Sequence, residues 1–183
     1  METSTTAASS VPESARILIE IANSRELSVR PDLLEGPPAV AFLRELSLLR
    51  EGVPLDEAAL EDVRRFRDVL NRLLVDRGDA DAWQRLNALA REVSLRAVFS
   101  PDEVELVAEP GADRPVGDLV IHLHRVIGDG SWLRVRLCAN DTCAAAFYDA
   151  TRSRTQRWHS YADCGNKSNV AAHRARVRSA GTH

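Results

Sequence analysis

Lysine is almost missing from this chain: Lys167 stands alone against 23 arginines. That bias is a mark of GC-rich coding, and it reduces what any single arginine can signify. No apolar run approaches the roughly 18 to 20 residues needed to cross a bilayer, which excludes a membrane-spanning helix. The opening METSTTAASSVPESAR has no basic leader followed by an apolar core. It reads as a short disordered tail over residues 1–11, not as a signal peptide, and a cytoplasmic protein is expected. Cysteine is scarce and odd in number, with only Cys138, Cys143 and Cys164. This argues against a disulfide framework and for metal or thiol chemistry. There is no internal repeat and no heptad pattern. No Ser-His or paired-carboxylate arrangement is legible from spacing, so an enzyme is not expected.

What remains is ordinary for a folded chain of 183 residues: 44% hydrophobic and 28% charged. That size fits one compact domain, or one domain with a small appended module. Net charge is −3, but the sign changes along the chain. Residues 1–130 hold 15 basic and 24 acidic side chains, whereas residues 131–183 hold 9 basic and 3 acidic ones. A basic end on an acidic body is one footprint of nucleic-acid binding. It also fits two ends that attract and dock.

Hydrophobic spacing predicts a mostly helical body over 12–130. A first helix starts at Pro12, with Ile17, Leu18, Ile21 and Ala22 on one face. A second is expected from Pro38 to Arg50, burying Val40, Ala41, Leu43, Leu46 and Leu49. Asp56 should cap a long third helix reaching about Arg77, before Gly78. A fourth runs from Ala80 to Glu92. Leu95–Phe99 and Val104–Ala108 read as a hairpin around Ser100-Pro101-Asp102. A fifth helix is expected from Arg114 to Ile127, where His122 and His124 are ordinary half-buried or surface histidines. After the turn at Gly128-Asp129-Gly130, Leu133–Leu137 alternates apolar residues with arginine. The fold class is therefore α+β: a mostly helical N-terminal body with a short β-hairpin, plus a small C-terminal zinc-finger module over 131–183.

The module's chemistry lies in its cysteines. Cys138 and Cys143 are separated by four residues; fifteen residues later come His159 and Cys164, again separated by four. Each pair can span two corners of a tetrahedron from one tight turn, and the intervening loop returns the second pair opposite the first. Three thiolates and one neutral imidazole make a closed set for Zn2+, with no position left for a catalytic water. His173 is a rival fourth ligand; His159 is preferred because it restores a close pair. Beyond them, Ser168 could cap a basic helix carrying Arg174, Arg176 and Arg178. Arg152, Arg154 and Arg157 sit in the loop between the ligand pairs. With Lys167 these are the candidate phosphate contacts for DNA, against the plainer reading of a solvated surface. Phe147 and Trp158 are expected to cap a very small core.

The segment from Arg134 to Arg178 resembles the CGNR zinc finger at Cys138, Cys143, Asp149, Arg152, Arg157, Trp158, Ser160, Cys164, Gly165 and Asn166. Residues of about 15–130 resemble the ABATE domain that precedes this finger in bacterial proteins. Its Asn-Thr signature is approximated by Ile21-Ala22-Asn23-Ser24-Arg25, and the long helix followed by Leu86-Asn87 also fits. The resemblance implies stress-related transcription regulation, with zinc in the finger and DNA as the target. The N-terminal domain would sense a small-molecule effector, form a homodimer, or both. Asn23 and Arg25 fall on the signature and are the candidate effector contacts, although capping and ending the helix would equally occupy them. His159 replaces the family's third cysteine, and Lys167 its final arginine, which keeps the charge but loses the bidentate fork. The competing expectation is a structural-zinc protein that binds proteins or small molecules without touching DNA.

Overall fold

The computed structural model of the chain describes residues 11–26, 31–109, 114–140 and 142–166. The tail before residue 11 and the basic segment with Lys167, His173, Arg174, Arg176 and Arg178 lie outside the described residues.

Five helices build the body. α1 (Glu13–Ala22) buries Ala15, Ile17, Leu18, Ile21 and Ala22 along one stripe. α2 (Pro38–Glu45) is shorter than its hydrophobic pattern predicts. Ser47 turns left-handed at φ 60°, and the amides of Leu48 and Leu49 both donate to Leu43 O. Leu46, Leu48 and Leu49 therefore reach the core from a turn, not from further helix. Ala41, expected inside, is exposed, because it sits half a turn from the buried pair Ala39 and Leu43. α3 (Glu57–Val75) begins as expected, with the Asp56 carboxylate accepting from Ala59 N at 2.7 Å. It stops at Val75, two residues before the expected end, where Asp76 goes extended. α4 (Ala80–Glu92) is capped in the same way by Asp79.

α3 is the central element. It packs against α1, α4 and α5 (Arg114–Gly128), and Phe66, Val63, Leu70 and Leu73 are almost fully buried there. α3 also carries a largely buried ion pair: the Arg67 guanidinium meets the Asp32 carboxylate at 2.6 Å. The hairpin β1 (Leu95–Phe99) and β2 (Val104–Ala108) pairs Leu95 with Ala108 and Phe99 with Val104. Its base packs on α5, while Phe99 and Val104 stay exposed at the tip. After α5 the chain makes a 3-10 turn, Ser131–Arg134, which takes up the first two residues of the alternating run Leu133–Leu137. The strand β3 (Val135–Leu137) follows and pairs antiparallel with β4 (Ala146–Tyr148), which the sequence reading does not anticipate. This second hairpin lies on the body: β4 packs against α1 and β3 against α3. Trp132, Val135 and Ala146 share one buried cluster with Phe66 and Leu18. Among the described residues no helix is long and apolar enough to cross a membrane.

Two predictions follow the helix contacts. A Cβ at Gly117 would sit 2.7 Å from Ala108 Cβ and 3.0 Å from Val93 Cγ1, so Gly117→Ala must push the first hairpin off α5. The expected loss is about 1–3 kcal/mol, read from urea unfolding. Nδ1 of His122 lies 3.1 Å from Ser14 Oγ, linking α5 to α1. Burial first, and then the nearby Arg125 charge, depress its pKa from 6.5 to about 4. The folded state thus binds fewer protons than the unfolded chain between those values. Its share of stability is complete above pH 6.5, falls as pH drops, and is gone near pH 4. Solvent reaches the ring, so that share is about 2 kcal/mol rather than the full equivalent of the shift. Unfolding midpoints of wild type and His122→Gln, compared at pH 7.5 and 4.5, should draw together in acid.

Candidate metal centre

The first ligand pair grows from the end of β3. Cys138 N donates to Ala145 O at 2.8 Å, closing the loop in ladder fashion. Within it, Cys143 N donates to Asn140 O at 2.8 Å, while Asn140 Oδ1 accepts from Thr142 N and its hydroxyl. Asparagine favours such a turn because its side chain can satisfy the backbone two residues on. Ala144 then adopts φ 50°, a left-handed conformation unusual for a residue with a Cβ.

The second pair is set by a short π-helical turn, Tyr161–Gly165. Ser160 Oγ accepts from Asp163 N at 3.1 Å and donates to Asp163 Oδ2 at 2.7 Å. Cys164 N and Gly165 N both return to Ser160 O. Gly165 is there for space: a Cβ would lie 2.8 Å from Tyr161 Cδ2 and 3.3 Å from Trp158 Cε3. Trp158 meets Tyr161 edge to face at 5.8 Å, and Phe147 is buried, so both aromatics pack as expected. Ala139 N donates to Arg157 O at 2.8 Å, which stitches the two ligand pairs together two residues before His159.

The outcome is convergence. The Sγ atoms of Cys138, Cys143 and Cys164 and a ring nitrogen of His159 all lie within 4.8 Å of one another. Nδ1 of His159 is 3.4 Å from Cys143 Sγ and 3.7 Å from Cys164 Sγ. Bonds of about 2.3 Å to sulfur and 2.0 Å to nitrogen give a tetrahedron with S···N edges of about 3.5 Å. The donor set and its spacing fit a metal ion held through Nδ1. Cys138 and Cys164 are buried, Cys143 is half-buried and His159 is exposed, so the site faces solvent on its Cys143 and His159 side. Without a cation the thiols diverge. Burial raises the Cys138 thiol, but hydrogen bonds from His159 and from the backbone outweigh it and bring its pKa to about 7. Burial, with the neighbouring cysteines, pushes Cys143 up to about 11.

Between the ligand pairs the loop is built on Asp149, which is fully buried. Its carboxylate accepts from Thr151 N and Oγ1, from Gln156 N at 3.0 Å and from Arg136 Nη1 at 3.1 Å. Burial raises its pKa, but these donors outweigh that and hold it below the usual carboxylate range. Arg134 donates to the carbonyls of Asp149 and Thr151, and Arg136 to that of Arg154. Those two arginines are structural. Arg152, Arg154 and Arg157 are exposed on the loop so formed, and none has a carboxylate partner among the described residues. The Arg157 guanidinium rests on the Trp158 ring at 5.3 Å.

Asn23 and Arg25 both reach across to the second hairpin, and Arg25 also lines a cavity of about 400 Å³ with Asn71, Val75, Leu137 and Ala144. The Asn23 amide donates to Ala146 O at 3.0 Å and accepts from Ala146 N at 2.7 Å. Arg25 Nη2 donates to Ala144 O at 2.9 Å. Both side chains are engaged with the metal-binding module. Asn23 also closes α1, its backbone N–H donating to Ile19 O, as capping would have it. Asp149 stands out in the sequence only as part of the resemblance. Arg77, which reaches Trp132 O and stacks on the Trp132 ring at 5.1 Å, leaves no sequence signal because its partners lie more than fifty residues away.

Two family models match the chain. ABATE, described as "Putative stress-induced transcription regulator", covers residues 15–153, and the CGNR zinc finger covers residues 134–177. The two overlap across the second hairpin. No curated protein matches the chain.

The site should take up one divalent ion per chain. Replacing a donor, in Cys164→Ser or His159→Ala, should weaken retention against a chelator by more than the roughly 10- to 100-fold usual for lost outer partners. Metal content of dialysed samples checks this. Unchanged content in His159→Ala would pass the fourth place to another donor.

Proposed function

Because this chain belongs to the ABATE family and carries a CGNR zinc finger, we propose that it is a DNA-binding transcription regulator whose finger is organised by zinc. Zinc suits the donors: three sulfurs and one imidazole nitrogen, at tetrahedral spacing, match its preference for soft and borderline ligands. When bound, the ion supplies a closed structural node. With four protein donors no coordination position is left for water, so the reading contains no catalytic step. Thiolates that hold an ion require a reducing compartment, which is why we assign the protein to the cytoplasm.

The observation that carries DNA binding is the loop between the ligand pairs. Arg152, Arg154 and Arg157 are exposed on it without carboxylate partners among the described residues, while buried Asp149 and the chain-facing Arg134 and Arg136 fix its backbone. Free cations on a braced loop are suited to phosphates, whose contacts position a protein on the duplex. Lys167, Arg174, Arg176 and Arg178, outside the described residues, are further candidate phosphate contacts by their charge. The helical body would sense an effector or pair with a second copy, and stress would be the signal.

One observation favours a second reading. The finger's hairpin is built into the body's core through Trp132, Val135 and Ala146, so the metal can serve chiefly to brace the fold. Fluorescence anisotropy with duplex DNA over a salt series separates the two. A regulator should show affinity that falls steeply with salt. The triple variant Arg152→Ala, Arg154→Ala, Arg157→Ala should reduce the slope of log K against log salt by up to about three. Absence of salt-dependent binding, or an unchanged slope in the variant, would leave the bracing role.

A further inference from the structure

We propose that Asn23 and Arg25, on the helical body, are positioning residues for the metal site, holding the backbone that aims Cys143 at the ion. The proposal rests on the zinc reading above and extends it to residues 123 and 119 positions away from the backbone they grip.

The segment after Cys143 is Ala144-Ala145-Ala146. Three alanines have no side chain able to hydrogen-bond a turn into shape, and the first of them is left-handed, at φ 50°. Glycine or asparagine ordinarily fills such a position. Here the conformation is fixed from outside. Arg25 Nη2 takes the Ala144 carbonyl, and the Asn23 amide takes both the N–H and the C=O of Ala146. Between them, Ala145 O accepts from Cys138 N. Every residue of the triplet is thus tied down, two of them by the body, and the ties bear on both cysteines of the first pair. Among the described residues the buried Nε of Arg25 has no hydrogen-bond partner. A buried polar atom without a partner is costly enough to call for a function.

By linkage, whatever tightens this seam tightens the ion, and the ion in turn tightens the seam. The body would then set the metal affinity of the finger it carries.

Zinc affinity of the full chain, measured by competition with a chelating indicator, tests this. Arg25→Ala and Asn23→Ala should each weaken binding about tenfold or more, in the range of lost outer partners. In the Ala144→Gly background, where the left-handed turn no longer carries a steric penalty, Arg25→Ala should cost markedly less. Helix content of the zinc-loaded variants should match wild type by circular dichroism. Affinities within about twofold of wild type for both variants would overturn the proposal, since lost outer partners cost more than that. So would equal losses from Arg25→Ala in the wild-type and Ala144→Gly backgrounds, because Arg25 would then act through general stability. If wild type itself takes up no zinc, the zinc reading falls and this inference with it. If wild type binds tightly and both variants match it, only this inference falls.

Discussion

Three sulfur atoms gathered within 4.8 Å of one another and of an imidazole nitrogen cannot all carry negative charge unless a cation lies among them. Burial pushes the Cys143 thiol up to about 11, while at Cys138 burial is outweighed by hydrogen bonds from His159 and the backbone, which bring it to about 7. A divalent ion removes the conflict by favouring the thiolate at every position. The shape of the C-terminal module depends on that resolution. Two short turns, one after β3 and one at Tyr161–Gly165, are tied by the Ala139 N to Arg157 O hydrogen bond and would share one node when an ion is bound. The loop between them can then be long, polar and rich in arginine without collapsing.

The module is not appended to the body as a bead on a string. Its hairpin continues the core through Val135 and Ala146, and its backbone is gripped by Asn23, Arg25 and Arg77 from the ends of α1 and α3. The two family matches overlap in the same stretch, residues 134–153. Such a seam gives a physical route between the helical body and the exposed arginines. A shift of α1 would be felt at Ala144 and Ala146, and so at Cys143.

Much of the body is legible in the sequence because its signals are local. Asp56 and Asp79 cap α3 and α4 where a short polar side chain precedes an apolar stripe, and the first hairpin falls on its two β-like runs. α2 reads too long because a leucine in a turn and a leucine in a helix leave the same apolar mark. β4 escapes a sequence reading because Ala-Phe-Tyr is too short to show alternation, and its strand character comes from pairing with β3 and from the Asn23 amide. Gly165 looks like a turn residue. In the structure it is a gap left for the Tyr161 and Trp158 rings.

By itself the sequence determined that Cys138 lies near Cys143, and it favoured His159 over His173 as the neighbour of Cys164. Two donors separated by four residues on one turn must lie near each other, and an odd set of cysteines in a chain of this charge pattern has few other uses. It also determined the helical stripes, whose periodicity is a property of neighbouring residues. Only the tertiary structure decided which arginines are fixed and which lack a carboxylate partner among the described residues: Arg134 and Arg136 look no different in sequence from Arg152 and Arg154. It alone decided that Asn23 and Arg25 hydrogen-bond the backbone of Ala146 and Ala144. Their partners are backbone atoms more than a hundred residues away, and a backbone atom leaves no mark of its own in the sequence.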